Sequence, residues 1–351
     1  MKNKMIKKLR RKEAPAKPTP ITSKNIDEHR EEILKEAKKF KYPLQYARHK
    51  VLINTIIVLV VALIIFGAAS WFALYQKQAR GDFFYTLTRV FPVPVATVDG
   101  HSVKYENYLL RLRSSLHYLQ AGGSEVDLNS EDGEEYIEHI KRQELVEAEK
   151  NALVYALASE NDIAVSDEEV TDFINDSMKT TDASLSLQAF EKTVLNDLYG
   201  QSLLEFRSLV HDSLLRSKVM LAIDTDAKSR AEKLLSVALS APDGFAELVK
   251  VDSDDEAKAS GGIVEVEITD NINDPNGIIA TARSLEKNAI AKQLIVGTDG
   301  YYIVKLNDKN DKVINYSILK IALKEFDKRY ELLRENGKVK EFIAVSNSET
   351  E

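Results

Sequence analysis

The chain has 351 residues, with 48 Lys and Arg against 55 Asp and Glu, and no cysteine. The net charge of −7 argues against nucleic-acid binding, which needs a basic footprint. The missing cysteines exclude disulfides, a thiol nucleophile and Cys-ligated metal.

Met1 to Lys12 is a basic start, and Ala14 to Pro20 is a Pro-rich break expected to be disordered. Asn25 to Lys41 is expected to be helical, with Ile26, Ile33, Ala37 and Phe40 near one face. A lipid-binding segment would use such a face, but a topology signal with solvated charge is the plainer reading.

Val51 to Tyr75 follows and contains no charged residue. A helix of this length covers roughly 37 Å, enough to cross a hydrocarbon core of roughly 30 Å. Trp71 and Tyr75 stand near its end, where aromatic rings favour the membrane interface. A cleaved signal fits poorly, because fifty residues precede the run and Trp71 to Leu74 continue it past the small residues Gly67 to Ala69. The expected feature is a retained single-pass anchor.

Residues 1–50 hold sixteen Lys and Arg against six Asp and Glu, a net of +10. With Lys77 alone just beyond the run, residues 78–351 carry −18. The positive-inside rule then places the N-terminus in the cytoplasm and the bulk of the chain outside it.

Gly81 to Pro94 reads as a juxtamembrane connector, with Phe83, Phe84 and Tyr85 expected at the headgroups. Beyond it, VATVDGHSV from Val95 alternates and turns at Asp99-Gly100, a strong turn signal. Tyr105, Tyr108, Leu109, Leu112 and Leu116 form a helical stripe. Gly122 to Gly133 is a polar loop, and a second helix is expected over about Glu134–Glu160. Ser166/Glu169 and Ser202/Glu205 have the S-x-x-E spacing of capping boxes. The second of these opens a helix to about Ile223. Between them a helix spans roughly Leu185–Tyr199, with Gly200 as its stop.

These stretches resemble a known family. VATVDGHSVKYENYL from Val95 is similar to the opening of the N-terminal domain of SurA/PrsA-type chaperones. DIAVSDEEV from Asp162 resembles that family's "GI-x-VSDEEV". YGQSLLEFR from Tyr199, followed by LLRSKV from Leu214, resembles its "G-S-x-x-x-F-R … LL-x-x-K" helix. The resemblance implies a helical domain over residues 90–223 that cradles unfolded client protein. The anchored arrangement resembles the PpiD type.

A second resemblance covers about 227–306. GFAELVKVDSDD from Gly244 with ASGG from Ala259, ARSL from Ala282, and GYYIVKL from Gly300 resemble segments of parvulin prolyl isomerases. Strands are expected at 263–268, 293–297, 301–306 and 314–321. The resemblance implies a catalytic pair of histidines in adjacent strands and an apolar proline slot. Here Tyr302 replaces the strand histidine, Ile263 replaces the acidic residue after Gly-Gly, and Arg283 replaces the slot's phenylalanine. Every histidine lies at or before His211.

The family's first strand, "R-H-I-L-V", is missing ahead of the helix at 227. VINYSILKI from Val313 has its character but follows the domain. Its Tyr316 to Leu319 would match "R-H-I-L", with Ser317 in the histidine's place. A hairpin through Asn307–Lys312 would carry it to the vacant slot, making a circularly permuted parvulin-like domain. The other arrangement keeps an extra strand and lacks the first.

The fold class is therefore α+β. The expected organisation is a basic tail (1–50), a transmembrane helix (51–76), a SurA-N-like helical domain (90–223), a parvulin-like domain (224–323) and a C-terminal helix (324–345). Phe326, Tyr330, Leu333 and Phe342 mark that helix, which is expected to pack back on the helical domain, as a late segment does in SurA-like chains. Ser346 to Glu351 is expected to fray.

The acidic cluster Asp252–Glu256 is a candidate calcium holder for which solvated loop charge is the better reading, and Asp270–Gly277 has the flavour of a calcium loop without its spacing. No cofactor, metal or catalytic residue is expected. The partners are unfolded or newly exported polypeptides and the lipid bilayer. The leading function is a membrane-anchored extracytoplasmic chaperone with an inactive parvulin-like domain. The rivals are an active prolyl isomerase and a secretion-accessory protein with one fixed partner.

Overall fold

The computed structural model describes residues 22–41, 43–122, 130–179, 186–269 and 274–346. The Pro-rich stretch 14–20 and the last tail residues fall outside these. The chain divides into one unit over Met1–Ala69 and another over Ser70–Glu351.

The first unit holds α1 (Ser23–Lys41) and most of α2 (Pro43–Trp71). The apolar side chains of α1 at Ile26, Ile33 and Leu34 are exposed, as are those of α2 from Val51 to Phe66. The helical run His49–Gln76 is long and apolar enough to cross a membrane.

The second unit begins with the end of that run. Phe72–Gln76 widens into a π-turn, which carries Leu74 into a protein core where it is 4% exposed. The Leu74 carbonyl accepts a hydrogen bond from the Tyr105 hydroxyl at 2.7 Å. The Tyr75 hydroxyl donates to the Pro94 carbonyl at 2.6 Å, and its ring meets Tyr105 edge-on at 5.7 Å. Tyr75 is therefore partly buried against that core, with its hydroxyl satisfied inside the protein. Trp71 alone of the expected pair stays exposed.

The connector forms α3 (Asp82–Val90). Tyr85 and Thr88 are buried, which corrects the expectation that Tyr85 faces headgroups. The Arg113 guanidinium stacks 4.5 Å from the Tyr85 ring and pairs with Asp82. β1 (Pro94–Val98) and β2 (His101–Lys104) form the expected hairpin, with Asp99 and Gly100 both at positive φ.

α4 (Tyr105–Ala121) and α5 (Glu131–Glu160) pack over this hairpin. The second helix starts three residues before its expected position, because Ser130 caps it by accepting from Gly133 N. α6 (Asp167–Lys179) follows, then a helical stretch made of α7 (Leu187–Phe190), a π-turn over Glu191–Asn196 and α8 (Asp197–Tyr199). Gly200 ends that stretch at φ 63°, the stop expected of it. α9 (Leu203–Ile223) begins at the expected Ser202/Glu205 capping box. Its Val210 packs with Val170 and Ile174 of α6.

Asp224 then does two jobs. Its Oδ1 accepts from Ala227 N at 2.9 Å and so caps α10 (Thr225–Ser240). Its Oδ2 accepts from Lys324 N and Glu325 N at 2.7 and 3.0 Å, at the start of α13 (Glu325–Glu335), a hundred residues later.

Between these points lie α11 (Phe245–Asp252), β3 (Ile263–Glu267), α12 (Ile278–Ser284), β4 (Ile295–Val296), β5 (Gly300–Lys309) and β6 (Val313–Ala322). The sheet is antiparallel, in the order β3-β6-β5-β4. Ile303, Leu319 and Ile321 pack on one face against α10 and α11. Val304, Leu306 and Ile318 pack on the other against α12. Gly262, at φ 69°, accepts a hydrogen bond on its carbonyl from Ile318 N at 2.9 Å, and a Cβ there would stand 2.1 Å from the Ile318 carbonyl oxygen.

The C-terminal helix is shorter than expected. α13 stops at Glu335, Gly337 takes φ 66°, and β7 (Val339–Glu341) pairs with β1. Phe326 and Tyr330 of α13, with Ile343 and Val345, fill the same core as Tyr105, Leu145 and Val219. Phe342, expected on the helical stripe, lies exposed after the strand.

Two substitutions test this architecture. Gly262→Ala should destabilise the protein by about 2 kcal/mol or more in a denaturant melt, because alanine meets both a positive φ and a backbone oxygen. Asp224→Ala should cost about 2–4 kcal/mol by leaving buried N–H groups at two helix starts unpaired, and Asp224→Asn should recover part of that loss.

Candidate functional site

Two places carry chemistry. The first is the polar end of the four-stranded sheet. Tyr302 lies on β5 directly opposite Lys320 on β6. The Tyr302 hydroxyl donates to Asp299 Oδ1 at 2.7 Å, and Lys320 Nζ donates to Asp299 Oδ2 at 2.5 Å. The same ammonium sits 5.7 Å from the Tyr302 ring centroid. Burial, reinforced by the Asp299 carboxylate, pushes the Tyr302 phenol up and keeps it un-ionised. Burial by itself would raise Asp299, but the hydrogen bonds from Lys320 and Tyr302 outweigh it and hold the carboxyl low. The three side chains of this triad are paired with one another through Asp299.

The structure separates the other expected positions from Tyr302. Ser317 pairs with Lys305 and Ile263, so strand alternation turns it to the opposite face from Tyr302. Its hydroxyl accepts from Asn307 Nδ2 at 2.9 Å. Ile263 begins β3 and is exposed. Arg283 is an exposed residue of α12, whose buried positions are Ile279 and Ala282. Sequence reasoning missed Lys320 and Asp299. The signal was available in alternation along β6, but only once its register against β5 was known.

Among the described residues no group of three or more His, Asp and Glu is placed to hold a metal ion. Asp254, from the acidic stretch, accepts instead from Arg230, Lys324 and Ala322 N. Of Asp270–Gly277, the first four residues lie outside the described ones, and Asp274 accepts from Ala280 N at the start of α12.

The second place is an open groove of about 450 Å³ between α4, α5 and the segment around Tyr199. Tyr118 and Tyr199 stack there at 5.1 Å, both exposed, and Tyr136 stands exposed on the α5 side. Leu119 and Ile140 add apolar lining. At the groove's base Ser115 donates to Glu144 at 2.5 Å, and burial pushes that carboxyl up. The buried Arg111 Nε has no hydrogen-bond partner. Aromatic faces beside a few polar groups can hold an extended polypeptide without reacting with it.

The closure of this domain rests on a buried carboxyl. Glu149 of α5 is fully buried, and its Oε2 accepts from the Tyr330 hydroxyl of α13 at 2.5 Å. Arg142, about two turns before Glu149 on α5, donates to Glu341 and to the Val345 carbonyl, each at 2.6 Å.

These features define an α+β protein whose helical domain carries an open aromatic groove and is completed by its own C-terminus. A profile of the SurA-like N-terminal domain matches residues 44–220, half of the chain, and the chain belongs to that family. Membership points to a chaperone-type function. Comparison with characterised proteins finds no match.

The Glu149 contact gives a pH test. Burial pushes its carboxyl from 4.5 up to about 7, and the nearby Glu341 adds to the rise, while the Tyr330 hydrogen bond, Arg142 and Arg334 oppose it. The folded state therefore holds this proton more tightly than the unfolded chain. Its contribution is complete below about pH 4.5 and is lost as pH rises towards 7. Glu149→Gln should gain stability relative to the parent between pH 5 and pH 8 in paired denaturant melts. Tyr330→Phe should destabilise the protein by about 1–3 kcal/mol at pH 8, because the buried carboxylate loses its donor.

Proposed function

We propose that this chain is a membrane-anchored, extracytoplasmic chaperone that holds unfolded, newly exported polypeptides in its helical domain. The observation that carries the reading is the SurA-like match joined to the exposed aromatic groove of α4 and α5. The α2 helix is the anchor. The charge contrast across it, +10 before and −18 after, supports a cytoplasmic N-terminus.

On this reading, residues 224–323 are a parvulin-like domain in circularly permuted order that has lost its reaction. The sheet order supports the permutation. β6 comes last in sequence among the four strands of this sheet yet lies between β3 and β5, beside the strand that would be last in a parvulin. The loss of reaction is argued from chemistry. Rotation about a prolyl bond has a barrier of about 18–20 kcal/mol, and lowering it takes a shaped ring slot and free polar groups. Tyr302, Lys320 and Asp299 are occupied with one another, and Tyr302 is buried.

The full chain in lipid nanodiscs tests both halves. The full chain is needed because Leu74 and Tyr75 belong to the core, and a fragment starting later would lack them. The protein should slow aggregation of several unfolded clients at a few-fold molar excess. Replacing Tyr118 and Tyr199 together by Ser should weaken that effect several-fold without lowering the melting temperature by more than a few degrees. A protease-coupled assay on Xaa-Pro peptides should give the uncatalysed rate. Failure with every client would overturn the chaperone reading. A catalysed rate abolished by Lys320→Ala or Tyr302→Phe would overturn the inactive one.

A further inference from the structure

The four-stranded sheet has one blunted edge and one open one. β4, at one end, is two residues long. β3, at the other, runs five residues, IVEVE, without proline and in unbroken register against β6. A very short edge strand offers little to pair with, whereas a longer one presents a row of backbone donors and acceptors.

The ladder fixes which of these groups face outward. Ile318 N donates to the Gly262 carbonyl, and Ile268 N donates to the Lys312 carbonyl. Bonding alternates along an antiparallel pair, so the even-numbered residues of this stretch spend their backbone groups on β6. The N–H and C=O groups of Ile263, Glu265 and Glu267 therefore point away from the sheet. Among the described residues none of these groups has a backbone hydrogen-bond partner.

The side chains follow the same alternation. Ile263 is 51% exposed, and Glu265 and Glu267 are exposed on the same face. Glu265 accepts from Asn315 Nδ2 at 3.1 Å, and neither glutamate pairs with a cation among the described residues. Lys305, two strands in on that face, donates to the Pro242 carbonyl instead. On the other face Val264 and Val266 are half-buried against Ile314 and Tyr316. The edge is acidic on one side and apolar on the other.

This asymmetry selects the occupant. A second copy pairing about the midpoint of β3 would set Glu265 opposite Glu265, and like charges directly opposite each other are destabilising. A strand with Lys or Arg at alternate positions instead sets a cation opposite each glutamate. Its intervening apolar residues then lie beside Val264 and Val266 and complete their burial.

We propose that the outer edge of β3 adds a fifth strand to the sheet, an extended segment of unfolded polypeptide in which basic and apolar residues alternate. The source of the segment, an unfolded client, rests on the chaperone reading, and the pairing itself does not. The site shares no residue with the aromatic groove of α4 and α5. Backbone pairing reads only alternation and charge, which suits many chains rather than one fixed partner.

The probe is a short fluorescein-labelled peptide of alternating Lys and Val, titrated with the full chain in phosphatidylcholine nanodiscs and read by anisotropy against empty discs. The parent chain should bind it several-fold more tightly than an alternating Glu/Val peptide, and several-fold more tightly than a peptide with the same lysines and valines in separate blocks. N-methylation of the lysines should weaken binding several-fold, because residues opposite Glu265 and Glu267 turn their N–H groups to the edge. N-methylation of the valines, whose N–H groups face away, should not. Glu265→Lys combined with Glu267→Lys should reverse the preference towards the Glu/Val peptide, with a melting temperature within a few degrees of the parent.

Equal affinity of the parent chain for the Lys/Val and Glu/Val peptides would overturn the proposal, and so would equal affinity for the two N-methylated forms. Neither comparison needs a variant to fold. A parent chain that forms a dimer in detergent and excludes the peptide would assign the edge to a second copy, which also overturns it. Peptide binding as expected, with no client protected from aggregation, would overturn the chaperone reading and leave the fifth strand standing.

Discussion

One buried carboxylate holds this molecule at its neck. Asp224 binds the first turn of α10 with one oxygen and the first N–H groups of α13 with the other. Everything between them, including the whole four-stranded sheet, is an excursion that leaves and returns at that residue. The two elements flanking the excursion, α9 and α13, meet in a single core through Leu215, Val219, Phe326 and Tyr330. A helix start must find partners for its orphan N–H groups, and a shared carboxylate meets that need for two helices at once.

The order of the sheet follows from this constraint. An element set inserted into another domain needs its two ends close together. α10 starts at Asp224, and β6 ends at Ala322, where the neighbouring Asp254 accepts from its N–H and Lys324 joins the same carboxylate. Placing β6 last in sequence but central in the sheet brings the exit beside the entrance. An order beginning with the central strand would have to supply that closeness by another route.

The C-terminus completes the helical domain. β7 adds a third strand to the β1–β2 hairpin, covering a hydrogen-bonding edge that would otherwise be open. Arg142 and Gln78 bind carbonyls just after β7, at Val345 and Ala344. At the other end of the same core, Tyr105 and Pro94 receive the close of the apolar run. The domain that bears the aromatic groove is thus built between the end of the apolar run and the end of the chain.

Sequence alone determined the features that depend on neighbours a few residues away. The uncharged run from Val51, the Asp99-Gly100 turn, the Ser166/Glu169 and Ser202/Glu205 boxes and the Gly200 stop are local, and each requires only its own spacing. The strands at 263, 301 and 314 were legible for the same reason. Tertiary structure decided the rest. Tyr85 looks like an interfacial aromatic until packing with Arg113 buries it, and Tyr75 is half-buried with its hydroxyl on the Pro94 carbonyl. The end of α13 follows from Gly337 together with a strand partner more than two hundred residues away, which no local pattern contains. The polar triad was hidden for the simplest reason. A strand has two faces, and whether Tyr302 meets Ser317 or Lys320 depends on a pairing register fixed by the sheet as a whole.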